Sequence, residues 1–335
     1  MKMWYTYMVG EYMRSNKEFK KLDEQIEILR NKGMTVDNPD YAADVLFREN
    51  YFFLNGYRHL FMKSETNKTY IPGTTFEELY SLFLFDRTFR NIMFKNILNI
   101  ENNIKSIMSY HLSLRYGYHE KDYLDHKNFT ANPEKSRQVS DIIKKMKRQI
   151  RSNVGTHSAT MHYVNSYGYI PMWVLVKVLS FGIIGELYSI LKKEDQINIA
   201  DVYNLDSDTL NNYLVLLSNY RNLCAHEDIV FDNKTQRQIG DTRYHRMLKI
   251  PVTNDEYAYG KNDVFALIIV MKQMLKNDEF KNMCLEIDHA FKNLELNIKT
   301  IPLSKIQDKM GFPSNWIEIM DIYKEEKKAY YEKQN

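Results

Sequence analysis

The residues of this chain best suited to chemistry stand together as Arg221-Asn222-Leu223-Cys224-Ala225-His226. A guanidinium holds phosphate oxygens through paired donors, and an imidazole exchanges protons near neutral pH. Spacing alone is a weak signal: with 14 arginines and 9 histidines, a chance pairing of this kind is expected, and a second runs from Arg151 to His157. The two differ in context. Arg151 follows a basic run and is separated from His157 by Gly155, whereas Arg221 continues the apolar stripe of its helix, about 20° from the direction of Leu210 at about 100° per residue. A cation there must meet an acid, carbonyls, another subunit or a bound phosphate. A nearby acid such as Glu227 or Asp228 would serve, with His226 merely capping the helix. Asn222 and His226, four apart, share a face, but Arg221 and His226 are about 140° apart on a straight helix. A common site therefore needs a loosened helix end near Cys224 to Glu227, or two copies of the motif.

The elements that position these residues read as helices. Asp206-Ser207-Asp208 supplies an N-cap, followed by Leu210, Tyr213, Leu214, Leu217, Tyr220 and Cys224 at helical spacing. Phe19, Leu22, Ile26 and Leu29 mark an amphipathic helix over 16–30 that ends near Gly33, and 41–61 reads as helical except around Asn55-Gly56. Thr74 or Thr75 caps one very long helix, or two nearly collinear ones, over 76–116, a stretch without proline or glycine. A helix is expected near 134–151. Pro171 opens a central core helix running through Leu187, 232–260 reads as irregular, 265–275 as a buried helix and 316–331 as a polar terminal helix. The result is an all-α chain: an N-terminal helical region over 1–70, a helical core over 71–245 and a C-terminal helical extension over 246–335.

Composition narrows the classes. Few breakers, 12 Gly and 7 Pro in 335 residues, favour long helices over many short strands. Cys224 and Cys284 form no metal-spacing pattern, no secretory signal is evident and apolar runs are broken by Lys177, Glu186 and Lys272, so a cytoplasmic protein without membrane spans is expected. His157 and His162 lack a fitting third ligand, and no metal or other cofactor is expected. A net charge of +3 means that any nucleic-acid surface must be a local cluster. The best candidate is Lys144, Lys145, Lys147, Arg148 and Arg151, with nearby tyrosines from a total of 25 available for stacking on bases.

The motif resembles the Arg-Asn-x-x-x-His signature of HEPN-domain proteins, and further segments resemble the Abi family of phage abortive-infection proteins in that superfamily. These are Leu54-Asn55-Gly56-Tyr57, the helix from Phe76 through Phe85-Asp86-Arg87-Thr88-Phe89-Arg90 to Ile100-Glu101, Pro171-Met172-Trp173 through Leu179-Ser180-Phe181-Gly182, and Phe265 to Leu275. They keep the family's order over roughly residues 40 to 280. Lys177 departs from it, standing where the family has an acid. The resemblance implies a HEPN-like bundle, homodimerisation that brings two motifs face to face, metal-independent RNA cleavage that stops host growth during infection, and a small structured RNA as partner. His226 would then act as acid or base, Arg221 would hold the non-bridging oxygens and Asn222 would orient the phosphate or the imidazole. A non-catalytic RNA-binding or phage-sensing module is the alternative.

Overall fold

The computed structural model describes residues 18–64 and 66–324, which divide after Tyr80 into two compact units. Fifteen α-helices and a single two-stranded hairpin make the described residues all-α.

In the first unit the opening helix is Leu22–Asn31, shorter than its periodicity predicts. Glu24 accepts the Lys21 backbone N–H at 2.7 Å, a closure that starts the helix after Phe19 and leaves that ring 88% exposed. Residues 16 and 17 of the predicted span lie outside the described residues. Gly33, at φ +88°, ends the helix as expected. The 41–61 stretch is interrupted earlier than predicted. Asn38 accepts the Tyr41 N–H to cap Pro39–Glu49, and Asn50 at φ +68° breaks the chain before Tyr51–Asn55. Asparagine tolerates the left-handed region, so this stop carries no proline or glycine signature.

Phe76–Tyr116 is one helix of 41 residues. Thr75 and Glu78 close a reciprocal capping box at its start, with bonds of 3.2 and 3.1 Å. Within the second unit, Leu82, Phe89, Met93, Ile97, Ile100, Ile104 and Met108 are fully buried. At roughly 1.5–3 kcal/mol for each fully buried large apolar side chain, this stripe anchors the helix firmly enough to carry four buried charges described below.

The predicted core helix after Pro171 is two helices, Met172–Val178 and Phe181–Ile190. Leu179 and Ser180 are extended between them, and the Ser180 hydroxyl accepts the Ile183 N–H as a new N-cap. Serine competes for backbone donors better than it continues a helix, and here the cap prevails over the continuous apolar pattern. Phe181–Ile190, Lys193–Asp201 and the wholly buried Val264–Met274 pack on the helix Ser207–Ala225 that carries the motif. The basic helix, Ser136–Asn153, packs against Phe181–Ile190.

The C-terminal expectation is also corrected. Trp316 sits in a short 3₁₀ turn, Trp316–Met320, buried against Phe291 and Phe312 at 5.9 and 5.3 Å between ring centroids. Aromatic packing decides this segment, and residues 325–331 of the predicted helix lie outside the described residues. No helix among the described residues is long and apolar enough to cross a membrane.

Within 232–260 the structure has more order than composition suggests, a short helix Arg243–Met247 and a hairpin pairing Val252–Thr253 with Glu256–Tyr257. His245 organises it from full burial: its Nδ1 accepts the Thr242 N–H at 3.1 Å, so Nε2 carries the proton and donates to the Gly260 carbonyl at 2.8 Å. Burial lowers its pKa below the ordinary value near 6.5. The neutral ring is thus the folded form, and as pH falls below 6.5 the unfolded chain takes up a proton that the folded chain refuses. Stability is fully present above that pH and is lost as pH drops toward the folded pKa. Urea midpoints measured from pH 8 to 5 should fall more steeply for the parent than for His245→Asn; parallel profiles would remove His245 as the cause.

Candidate active site

The motif helix forms as its sequence predicts. Asp206 accepts the backbone N–H groups of Asp208 and Thr209 at 3.0 and 2.8 Å, and Leu210, Tyr213, Leu214, Leu217, Tyr220 and Cys224 are buried. Its far end closes without loosening. The helix runs through Ala225, Glu227 adopts φ +58°, and the Asp228 N–H reaches back to the Leu223 carbonyl at 3.1 Å while that of Glu227 reaches Cys224 at 3.4 Å. This is a Schellman closure built on a non-glycine residue. Arg221 and His226 therefore lie about 140° apart round the helix, and its closed end shows no loosening that would bring them together.

Arg221 meets neither Glu227 nor Asp228. Its acid is Glu101 of the long helix, with Nε 3.5 Å from Oε2. That contact is an ion pair without hydrogen-bond geometry, and both atoms are buried without a hydrogen-bond partner. The other carboxylate oxygen of Glu101 accepts from Lys105 Nζ at 2.6 Å. The guanidinium also lies 5.8 Å from the centre of the Phe94 ring. Arg221 is thus held on one edge only. Its side chain is 30% exposed and its outer nitrogens have no hydrogen bond or ion pair among the described residues, so they can take an anion. Asn222 and His226 are exposed, and neither side chain has a hydrogen-bond partner among the described residues.

The chain leaving the motif is clamped by a second charge pair. Asp86 is fully buried and accepts from the backbone N–H groups of Val230 and Phe231 at 3.2 and 2.8 Å, while Arg90, also buried, donates to Asp86 at 3.2 Å and to the Asp228 carbonyl at 3.1 Å. Cys224, just before His226, is no nucleophile: burial pushes its thiol up to about 12.

The five basic residues share one helix but not one condition. Lys145 is paired with Glu186 at 2.5 Å and Lys144 lies 3.9 Å from Asp141. Lys147, Arg148 and Arg151 are exposed without an ion pair among the described residues. No hydrogen bond or ion pair among the described residues joins this run to Arg221 or His226. The competing Arg151–His157 match resolves into two unrelated roles, since Arg151 points into solvent and His157 Nδ1 caps the helix Ser158–Tyr167 by accepting the Thr160 N–H at 3.4 Å.

Glu101 and Lys105 are the site residues that sequence reasoning passes over. Their signal was present: Asp86 with Arg90, and Glu101 with Lys105, are opposite charges four apart within an apolar stripe. All four fall in an arc of about 100° at about 100° per residue.

The profile of the Abi-like protein family matches residues 44–232, more than half of the chain and inclusive of the long helix, the basic helix and the motif. The chain belongs to the Abi-like family. Abortive-infection defence is the role that this membership implies. No curated protein matches the chain, and no solved structure does. Of the match, the segments around Asp86-Arg90 and Glu101 are those that hold the motif in place.

In Asp86→Asn, Arg90 keeps its burial but loses its countercharge, which should cost about 3–5 kcal/mol of unfolding free energy. The backbone amides of Val230 and Phe231 should then exchange faster with solvent than in the parent. A urea midpoint and exchange rates equal to the parent's would show that the clamp is not what holds the motif's exit.

Proposed function

We propose that this Abi-like protein is a HEPN-type, metal-independent endoribonuclease that acts as an abortive-infection toxin. The observation that carries the reading is Arg221: oriented from one edge by Glu101, itself bonded to Lys105, it presents its remaining donors outward at the surface of the helix that ends in His226. Such a guanidinium is pre-placed for the non-bridging oxygens of a phosphodiester and needs little reorganisation to receive them.

RNA supplies the nucleophile. A base removes the 2′-hydroxyl proton, the 2′-oxygen attacks phosphorus, and the 5′-oxygen leaves after protonation by an acid, giving a 2′,3′-cyclic phosphate and a 5′-hydroxyl. His226 fits either proton role, and Asn222, four residues before it on the same face, orients the phosphate or the ring. Two motifs brought together in a homodimer divide the base and acid roles between two copies of His226. The closed helix end supports this arrangement, because one chain sends Arg221 and His226 in different directions. A structured RNA that restrains or directs the nuclease binds at Lys144, Lys145, Lys147, Arg148 and Arg151, of which the last three are uncommitted to ion pairs among the described residues.

His226→Ala should lower RNA cleavage by about 10²–10⁴-fold and Arg221→Ala by about 10²–10³-fold, with helical circular dichroism unchanged and with both losses repeated in growth inhibition. Cleavage by the parent should survive EDTA. Retained cleavage by both variants would sink the mechanism, and RNA binding without any turnover by the parent would leave the non-catalytic module.

Mixing Arg221→Ala with His226→Ala chains should restore part of the activity if each site draws on both copies. An active monomer by light scattering would refute the shared site. Reversing charge at Lys144, Lys147, Arg148 and Arg151 should flatten the slope of log affinity against log salt by roughly three for single-stranded RNA; an unchanged slope would place the phosphate contacts elsewhere.

A further inference from the structure

Three elements of the second unit converge on an aromatic surface away from the motif. Tyr118 and His119 follow the end of the long helix, Tyr163 and Tyr167 lie on Ser158–Tyr167, and Tyr169 and Trp173 stand at the entrance to Met172–Val178. Tyr118 stacks on His119 at 4.7 Å between centroids, His119 lies 4.2 Å from Tyr169, Tyr118 lies 5.7 Å from Tyr169, and Tyr163 lies 5.3 Å from Tyr167. Trp173 Nε1 donates to the Tyr163 hydroxyl at 3.3 Å and joins the two halves. These rings are not a core. Tyr118 is 45%, Tyr167 57% and Trp173 43% exposed, and the hydroxyls of Tyr118, Tyr167 and Tyr169 have no hydrogen-bond partner among the described residues. Keeping ring contacts while Tyr118, Tyr167 and Trp173 stay largely exposed yields little burial for such large side chains, which is the condition expected of a surface built to receive flat partners.

Charge says which partner. One oxygen of the Glu120 carboxylate accepts the Ile170 N–H at 2.6 Å, a bond that ties the Tyr118-His119-Glu120 turn to Tyr169-Ile170. The next residue, Lys121, lines one shallow pocket together with Glu120, Leu124 and, from the basic helix, Lys147, Ile150 and Arg151, three cations to one acid. None of those three cations has an ion pair among the described residues. Aromatic faces bordered by uncommitted cations match an unpaired polynucleotide strand, whose bases stack while its phosphates follow the charge. A duplex keeps its base faces covered and offers nothing to the rings.

We propose that Tyr118, His119, Tyr163, Tyr167, Tyr169 and Trp173 form a stacking platform for unpaired bases of RNA, with Lys121, Lys147 and Arg151 on its phosphates. The inference rests on the reading that this protein's ligand is RNA and assigns a specificity to it: single-stranded loops or ends, without base-edge readout. The platform thereby joins the basic helix to a feature that selects unpaired over paired regions of the same molecule.

The test uses the full-length His226→Ala protein, which leaves RNA intact, with fluorescein-labelled twelve-nucleotide oligouridine and oligoadenosine and a duplex of equal length. Single strands should bind more tightly than the duplex and quench tryptophan fluorescence, a signal that Trp173→Phe removes. Adding Tyr118→Ala and Tyr167→Ala should weaken single-strand binding by roughly tenfold per ring, whereas the corresponding phenylalanine pair should bind within about twofold of its parent because the faces remain. Circular dichroism and urea midpoints establish that both pairs fold. Single-strand affinity unchanged in the alanine pair would overturn the platform while leaving the RNA reading in place. Failure of the parent to bind any of the three RNAs would overturn the platform and the RNA reading together.

Discussion

Burying an aspartate beside an arginine is tolerable only if their charges are answered, and the groups that answer Asp86 and Arg90 come from the chain that leaves the motif helix. Two backbone N–H groups, of Val230 and Phe231, meet the carboxylate, and the Asp228 carbonyl meets the guanidinium. The pair is therefore less a bonus to stability than a constraint on path. If the segment after His226 moved, a desolvated carboxylate would lose donors and a buried cation would lose an acceptor at once. The Schellman closure at Glu227 depends on the same constraint, because a non-glycine residue held at φ +58° needs surroundings that over-determine it. Cys224 and Tyr220, buried on the side of the helix opposite to solvent, fix its rotation from within.

The long helix performs this service twice. Eleven residues beyond Arg90, and about 20° round the helix, Glu101 reaches Arg221 and shares itself with Lys105. The two pairs differ in what they leave open. At Asp86 and Arg90 the fixed backbone supplies the partners and the charges are spent. At Glu101 one oxygen is spent on Lys105, and the other holds Arg221 at 3.5 Å without a hydrogen bond, so the guanidinium is located but not satisfied. An arginine in that condition is worth more to an incoming anion than one already locked in a bidentate pair, because binding then adds bonds and breaks none. The fully buried stripe from Leu82 to Met108 keeps this frame rigid.

Elements with strong local signals were legible in the residues. The cap at Thr74 or Thr75, the helical run to Tyr116 as one helix or two, the Asp206 cap and the buried helix over 265–275 follow from rules that act within a few residues of chain. What escaped was decided at a distance or by competition. Ser180 cut an apolar run in two by capping it, Asn50 stopped a helix without a glycine, and Trp316 was drawn into a cluster with Phe291 and Phe312 that its own neighbours in sequence do not announce. At the site, the isolation of Arg221 on an apolar stripe was readable, but its partner was not, because Glu101 lies 120 positions earlier. The nearest acids in sequence, Glu227 and Asp228, were the natural candidates, yet the left-handed turn that closes the helix carries them away from it.

The geometry of that turn bears on how the proposed chemistry can be assembled. Proton transfer to and from a phosphodiester requires groups on opposite sides of phosphorus, one near the 2′-oxygen and one near the departing 5′-oxygen, with positive charge between them. A single chain offers one imidazole, at the exposed tip of a helix, and one arginine about 140° away round its axis. Bending the helix end would bring them together, but the bonds from Glu227 and Asp228 back to Cys224 and Leu223, with the Asp86 and Arg90 clamp behind them, resist that distortion. The dimer proposed above answers this differently, because a second copy related by two-fold symmetry brings another imidazole without bending the helix end of either chain. In the proposed dimer the second copy is what orients His226, whose side chain has no hydrogen bond among the described residues of one chain.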